Sequence, residues 1–211
     1  MERETREIPR ELLRTGAVAS IAAGVLLIAG FALHPAGEDA TFGTDPRWVP
    51  AHAMLWIAFT VALVGWVAVY VEQAAEAGRL GVVAIVVLLL GTSLASWIFS
   101  SDVTFVPAIA ADAPALFRRI YDTRHIVIGL ASVLAWVLGS VLLGISIVRA
   151  KVFPQGAGIL LVIGTVIVPI AYATGLSVRI VGVGGDLAGI AQIWLGYALL
   201  RTRHSRSAGP A

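Results

Sequence analysis

The chain contains no cysteine. That absence excludes thiolate metal sites, disulfide relays and cysteine nucleophiles, and it leaves the compartment open. Charge is scarce as well. Only 13% of the 211 residues are Asp, Glu, Lys or Arg, whereas 58% are hydrophobic, and the mean hydropathy is +0.89. Soluble domains carry about 25% charged and about 45–50% apolar residues, so this composition is that of a membrane protein. Several enzyme motifs are also missing: there is no H-E-x-x-H, no G-x-S-x-G and no P-loop, and "GVGGDLAG" does not follow a strand. Glu38, Asp39 and Asp45 in "GEDATFGTD" do not match the calcium-loop pattern. Mid-membrane charge is confined to Asp186 at most, which argues against a voltage sensor or a multi-carboxylate proton wire.

The sequence pI of about 9.4 invites a nucleic-acid reading, but the distribution of charge opposes it. Arg and Lys sit almost wholly between and outside the apolar runs, with no basic helix face or aromatic-interleaved patch. The expected partner is the lipid bilayer, not nucleic acid.

A hydrocarbon core about 30 Å thick takes about 20 apolar helical residues. Six stretches qualify: 15–34, 51–71, 80–100, 125–148, 155–175 and 178–200. Lipid-facing backbone must satisfy its own hydrogen bonds, and the period-2 pattern of a barrel is absent, so these stretches are expected to be helices. The expected fold is all-α: a polytopic membrane protein built as a compact bundle of six transmembrane helices. Residues 1–14 form an N-terminal segment, 15–200 the transmembrane domain and 201–211 a basic tail. Short connections fall at 72–79 (EQAAEAGR) and 149–154 (RAKVFP).

Orientation follows from Lys and Arg. With the N-terminus inside, ten lie on the cytoplasmic side (Arg3, Arg6, Arg10, Arg14, Arg79, Arg149, Lys151, Arg201, Arg203 and Arg206). Five lie outside: Arg47, Arg118, Arg119, Arg124 and Arg179. Both termini are therefore expected in the cytoplasm of a multi-pass plasma-membrane protein. The first apolar run is long and lacks an A-x-A site, which favours a retained helix over a signal peptide. Trp48, Trp97, Tyr121 and Tyr172 outside, with Tyr70 and Tyr197 inside, read as an aromatic belt without chemistry.

The histidines carry the functional question. On this topology His34 ends the first span, His52 and His125 open the second and fourth, and Asp102 follows the third. Four metal- or proton-competent side chains thus share the outer interfacial level. Aligning "HAMLWIAFTVALVG" with "HIVIGLASVLAWVLG" superposes His52 on His125, but extending the repeat to the third hairpin by aligning "LGISIVR" (143–149) with "LGYALLR" (195–201) puts Asp186 opposite Leu134. Asp122 lies three residues before His125 and can orient its ring. The plainer alternative is that these are ordinary membrane-boundary histidines; His204, in the basic tail, is expected to be solvated. Asp186 lies about 12 Å into the last span if that helix starts near residue 178, flanked by Gly182, Gly184, Gly185 and Gly189. If the helix starts after Gly185, Asp186 is a first-turn cap. Gln192 is expected to make an interhelical hydrogen bond. In the outer loop, Asp112 is expected to cap a helix with Pro114 in its first turn, placing Phe117, Tyr121 and His125 on one face.

The phrases "VRAKVFPQGAGILLVIGTVIVPI" (148–170) and "IWLGYALLRTR" (193–203) resemble those of small six-helix integral membrane proteins of actinobacteria and archaea. The resemblance covers the C-terminal third and implies the architecture alone. Haem-handling membrane proteins of cytochrome c maturation also combine six helices with outward-facing histidines; their tryptophan-rich loop is missing here.

The specific expectation is an outward-facing pocket of His34, His52, Asp102 and His125 with Asp186 beneath it. It would bind a divalent transition metal or b-type haem. In the haem version His52 and His125 are axial and Arg124 or Arg47 meets the propionates. In the metal version the three histidines are ligands, with Asp102 or Asp186 the fourth. The rivals are a non-catalytic membrane subunit that packs against other subunits, and a small transporter using Asp186 at a broken helix.

Overall fold

The computed structural model describes residues 10–35, 45–120, 126–174 and 178–207. Among them the chain forms seven helices and no strand: α1 (Arg10–Leu33), α2 (Trp48–Thr104), α3 (Val106–Asp112), α4 (Pro114–Ile120), α5 (Ile126–Ala150), α6 (Gln155–Ala173) and α7 (Val178–Ser207). Four contain a stretch long and apolar enough to cross a membrane: Glu11–Leu33, Trp48–Thr104, Val127–Ala150 and Arg179–Arg201. In α6 the apolar stretch is shorter, Gln155–Ala171. Leu55, Leu88, Leu143, Ile147, Leu161 and Leu195 are fully buried, whereas Val83, Leu90, Leu130 and Leu134 stand exposed on the outside. An apolar exterior of this kind suits lipid.

A straight helix of 57 residues would reach about 85 Å, far beyond a bilayer core of about 30 Å. Instead α2 reverses at Gly78, whose φ of 57° and ψ of −154° fall in a region open almost only to glycine. A Cβ there would meet nothing within 4 Å, so the backbone angle and not space demands glycine. The arms 48–77 and 79–104 then lie antiparallel. Thr60 and Ser96 share a hydroxyl hydrogen bond of 2.7 Å, and the rings of Phe59 and Phe99 stand 5.3 Å apart. The connection expected over 72–79 is thus helical through residue 77 and turns at a single glycine.

In lipid no hydrophobic drive pulls helices together, so association rests on close packing of small residues. Glycines face each other at three junctions. A Cβ on Gly189 (α7) would lie 2.8 Å from the Gly24 carbonyl (α1), one on Gly164 (α6) 2.8 Å from that of Gly184 (α7), and one on Gly144 (α5) 2.7 Å from that of Gly158 (α6). The resulting order is a closed ring. The first arm of α2 packs on α1, the second on α5, α5 on α6, α6 on α7, and α7 returns to α1. Neighbours run antiparallel throughout, so the start of α1 and the end of α7 share one end of the bundle, where Ala17 abuts Gly196. The end of α1 and both ends of α2 gather at the opposite end.

There α3 and α4 fold over the hairpin, and Trp48, Val106 and Phe117 form a small core of their own. Pro114 opens α4 as expected, but Asp112 is not its cap. It is the last residue of α3, and Ala113 alone separates the two helices.

Candidate functional site

His52 and Trp48 occupy successive turns of one helix face, because residues four apart are neighbours on an α-helix. Their rings stack at 3.7 Å with an interplanar angle of 24°. His52 Nδ1 donates to the Trp48 carbonyl at 2.8 Å. A carbonyl can only accept, so this contact fixes the proton on Nδ1 and assigns Nε2 to whatever lies opposite. Opposite lies Asp102, its Oδ2 3.7 Å from Nε2, and the two residues are 2% and 3% exposed. Trp48 also donates its indole Nε1–H to the Asp102 carbonyl at 3.0 Å. One tryptophan therefore braces both members of the pair and ties the two ends of the α2 hairpin together.

His34 comes in from the end of α1. Its ring centroid lies 4.9 Å from that of His52 and 5.8 Å from that of Trp48. Its Nδ1 donates to the Pro35 carbonyl at 2.9 Å, the same kind of bond that orients His52. Phe99, one turn before Asp102 on the second arm, closes the inner side at 5.8 Å from the His52 ring.

With Nδ1 protonated, a neutral imidazole turns a lone pair toward the carboxyl oxygen. Two acceptors repel unless one cation, a proton or a metal ion, lies between them. Ligand atoms about 2.1 Å from a tetrahedral zinc are roughly 3.4 Å apart, close to the observed separation. Among the described residues, however, no group of three His, Asp or Glu side chains is placed to hold a metal ion.

The structure thus brings together His34, His52 and Asp102 of the expected set. His125, with Asp122, Tyr121 and Arg124, lies outside the described residues. Asp186 belongs to α7, which begins at Val178, so it sits eight residues inside the helix and not at a first-turn cap. Its Oδ1 is buried without a hydrogen-bond partner among the described residues. Arg47 gives its guanidinium to Asp45, through Nε at 3.1 Å and Nη2 at 2.9 Å. These hydrogen bonds hold the half-buried Asp45 carboxyl below the ordinary aspartate range. Sequence reasoning missed Trp48 and Phe99. Trp48 was legible through its i, i+4 relation to His52, whereas Phe99 required the hairpin.

Compared with protein-family models, curated proteins and solved structures, the chain matches none.

Proposed function

We propose that this is a multi-pass plasma-membrane protein that crosses the bilayer six times with both termini in the cytoplasm, and that its outer end binds a divalent transition metal between His52 and Asp102. The two arms of α2 together with α1, α5, α6 and α7 supply six apolar segments. The start of α1 and the end of α7 share one end of the bundle, and the segments expected on the cytoplasmic side carry ten of the fifteen Lys and Arg in the sequence.

The observation that carries the site is the orientation of His52. Metal-ligating imidazoles almost always donate their second N–H to a carbonyl or carboxylate, which fixes the ring and leaves the other nitrogen for the ion. His52 has that arrangement, with a carboxylate oxygen facing the second nitrogen in a buried setting. His34 is held in the same way beside it, and His125 is the further imidazole that the sequence offers at this level. Haem is disfavoured, because Trp48 stacks on the His52 ring and Phe99 closes the inner side.

The test is elemental analysis for Fe, Zn, Cu and Mn on protein purified in mild detergent. An oxidised and a reduced visible spectrum accompany it, with His52→Ala and Asp102→Ala in parallel. About one metal per chain, lost in both variants, supports the proposal. Protein that stays metal-free after exposure to each ion overturns it. The second reading then leads: a proton occupies the pair, which serves as a latch in a non-catalytic membrane subunit. Two observations favour that reading: no three-ligand group occurs among the described residues, and Trp48, His52 and Asp102 join the two ends of α2.

A further inference from the structure

The axis of the helix ring contains a small cleft lined by Leu27 of α1, Phe59 and Trp66 of the first α2 arm, Trp136 of α5, Leu161 of α6 and Gln192 of α7. Trp66 and Gln192 are 2% and 3% exposed. Neither the Trp66 indole Nε1–H nor the Gln192 Nε2–H has an acceptor among the described residues. Gln192 is fixed against α1, since its backbone carbonyl accepts a hydrogen bond of 2.9 Å from Ser20 Oγ. Buried donors without acceptors are rare in folded proteins, because each forfeits its hydration without return. An indole nitrogen can only donate, so nothing but an incoming acceptor satisfies Trp66.

The remaining lining is apolar or aromatic, and among the described residues no cation lines the cleft. An anion would enter without a countercharge, at a cost that two neutral donors do not offset. The space accommodates about one water-sized group. Trp66 lies fourteen residues along the arm from His52, about 21 Å, so the cleft is separate from the outer site.

We infer that this cleft binds one neutral hydrogen-bond-accepting oxygen, held jointly by the N–H groups of Trp66 and Gln192. The oxygen is that of a water molecule, the acceptor whose size the space admits. The experiment is proton–nitrogen NMR of the full chain with ¹⁵N-labelled indoles, reconstituted in lipid nanodiscs. The six tryptophans give six indole resonances, and Trp66→Phe assigns the one that matters. Should that variant not fold, substituting the other five assigns it by elimination. The expected result is a Trp66 N–H resonance shifted downfield into the hydrogen-bonded range and moved upfield in Gln192→Leu. Cross-relaxation from water identifies water as the source. A Trp66 resonance at the free-indole position, or one without that cross-relaxation, overturns the site. A resonance unmoved by Gln192→Leu overturns the joint use of the two donors.

Discussion

Removing one member of the His52–Asp102 pair tests whether the contact couples the arms of α2. Where the shared cation is a proton the pair is imidazolium and carboxylate, and at 3.7 Å opposite unit charges in a medium of effective dielectric about 20 attract by about 4.5 kcal/mol. Breaking a buried pair by deleting one partner costs about 3–5 kcal/mol, because the survivor stays buried without its complement. Asp102→Ala and His52→Ala should therefore each lower stability by about that amount. The double variant should lose little more than either single, giving a coupling energy of about 2–4 kcal/mol. Asp102→Asn is the informative control. Its amide N–H can donate to Nε2, so it should cost less than Asp102→Ala. The assay is reversible unfolding in mixed detergent–SDS micelles, followed by circular dichroism at helical wavelengths for all four variants. If the single losses add to within about 0.5 kcal/mol in the double, the residues are independent and the argument fails. If Asn costs as much as Ala, Nε2 is not the nitrogen that faces the carboxyl.

Other positions give equally direct tests. Gly78→Ala forces a Cβ into a backbone region suited to glycine and should cost about 1–3 kcal/mol in the same assay; an unchanged midpoint would mean the reversal tolerates other angles. Gly189→Ala drives a methyl to 2.8 Å from the Gly24 carbonyl, so α1 and α7 must separate, with a loss of about 1–3 kcal/mol; no loss would place slack at that junction. Lys151 ends α5 at φ 57° with its N–H on the Ile147 carbonyl, so Lys151→Gly should raise stability by up to about 1 kcal/mol; a loss would show that the lysine side chain contributes more than its backbone strain removes. Asp45 has its pKa lowered chiefly by the side-chain hydrogen bond from Arg47, so its paired state persists above the ordinary carboxylate pKa and is lost as pH falls through the lowered one. Arg47→Ala should move the Asp45 titration midpoint upward in carboxyl ¹³C NMR, and an unmoved midpoint would exclude Arg47 as the cause.

The helices were legible because the bilayer leaves few choices. An apolar run in lipid has to close its backbone hydrogen bonds internally, and the expected stretches are helical over their described residues except at His34 and Thr174, just past the ends of α1 and α6. The ends of those runs were less legible for a reason visible in "EQAAEAGR". Polarity returns at Glu72, which suggests a connection, yet Ala and Glu are strong helix formers and do not end a helix by leaving the apolar layer. Only the positive φ of Gly78 does that. Asp112 misled for a related reason: an acidic residue two positions before a proline resembles a cap, but α3 already uses it as its last turn.

The site was legible as a level and not as a set of contacts. Counting along the spans places His34, His52 and Asp102 at the same height, but height says nothing about azimuth. Asp102 is 50 residues from His52, and their meeting depends on the register of the hairpin. That register is fixed by the reversal at Gly78 and carried outward by pairs such as Thr60 with Ser96 and Phe59 with Phe99. One residue of slip between the arms would turn Asp102 by about 100° around its helix and take the carboxyl off the His52 ring. Trp48 shows the complementary difficulty. A tryptophan at a span boundary satisfies the belt rule without further explanation, and its burial comes from Phe117 and Val106, which reach it through α3 and α4. The indole shields the pair from water while its N–H closes the Asp102 carbonyl. The histidine at the head of this helix is thus held by contacts from three parts of the chain: Trp48 on its own helix, His34 at the end of α1, and Asp102 with Phe99 on the second arm of α2.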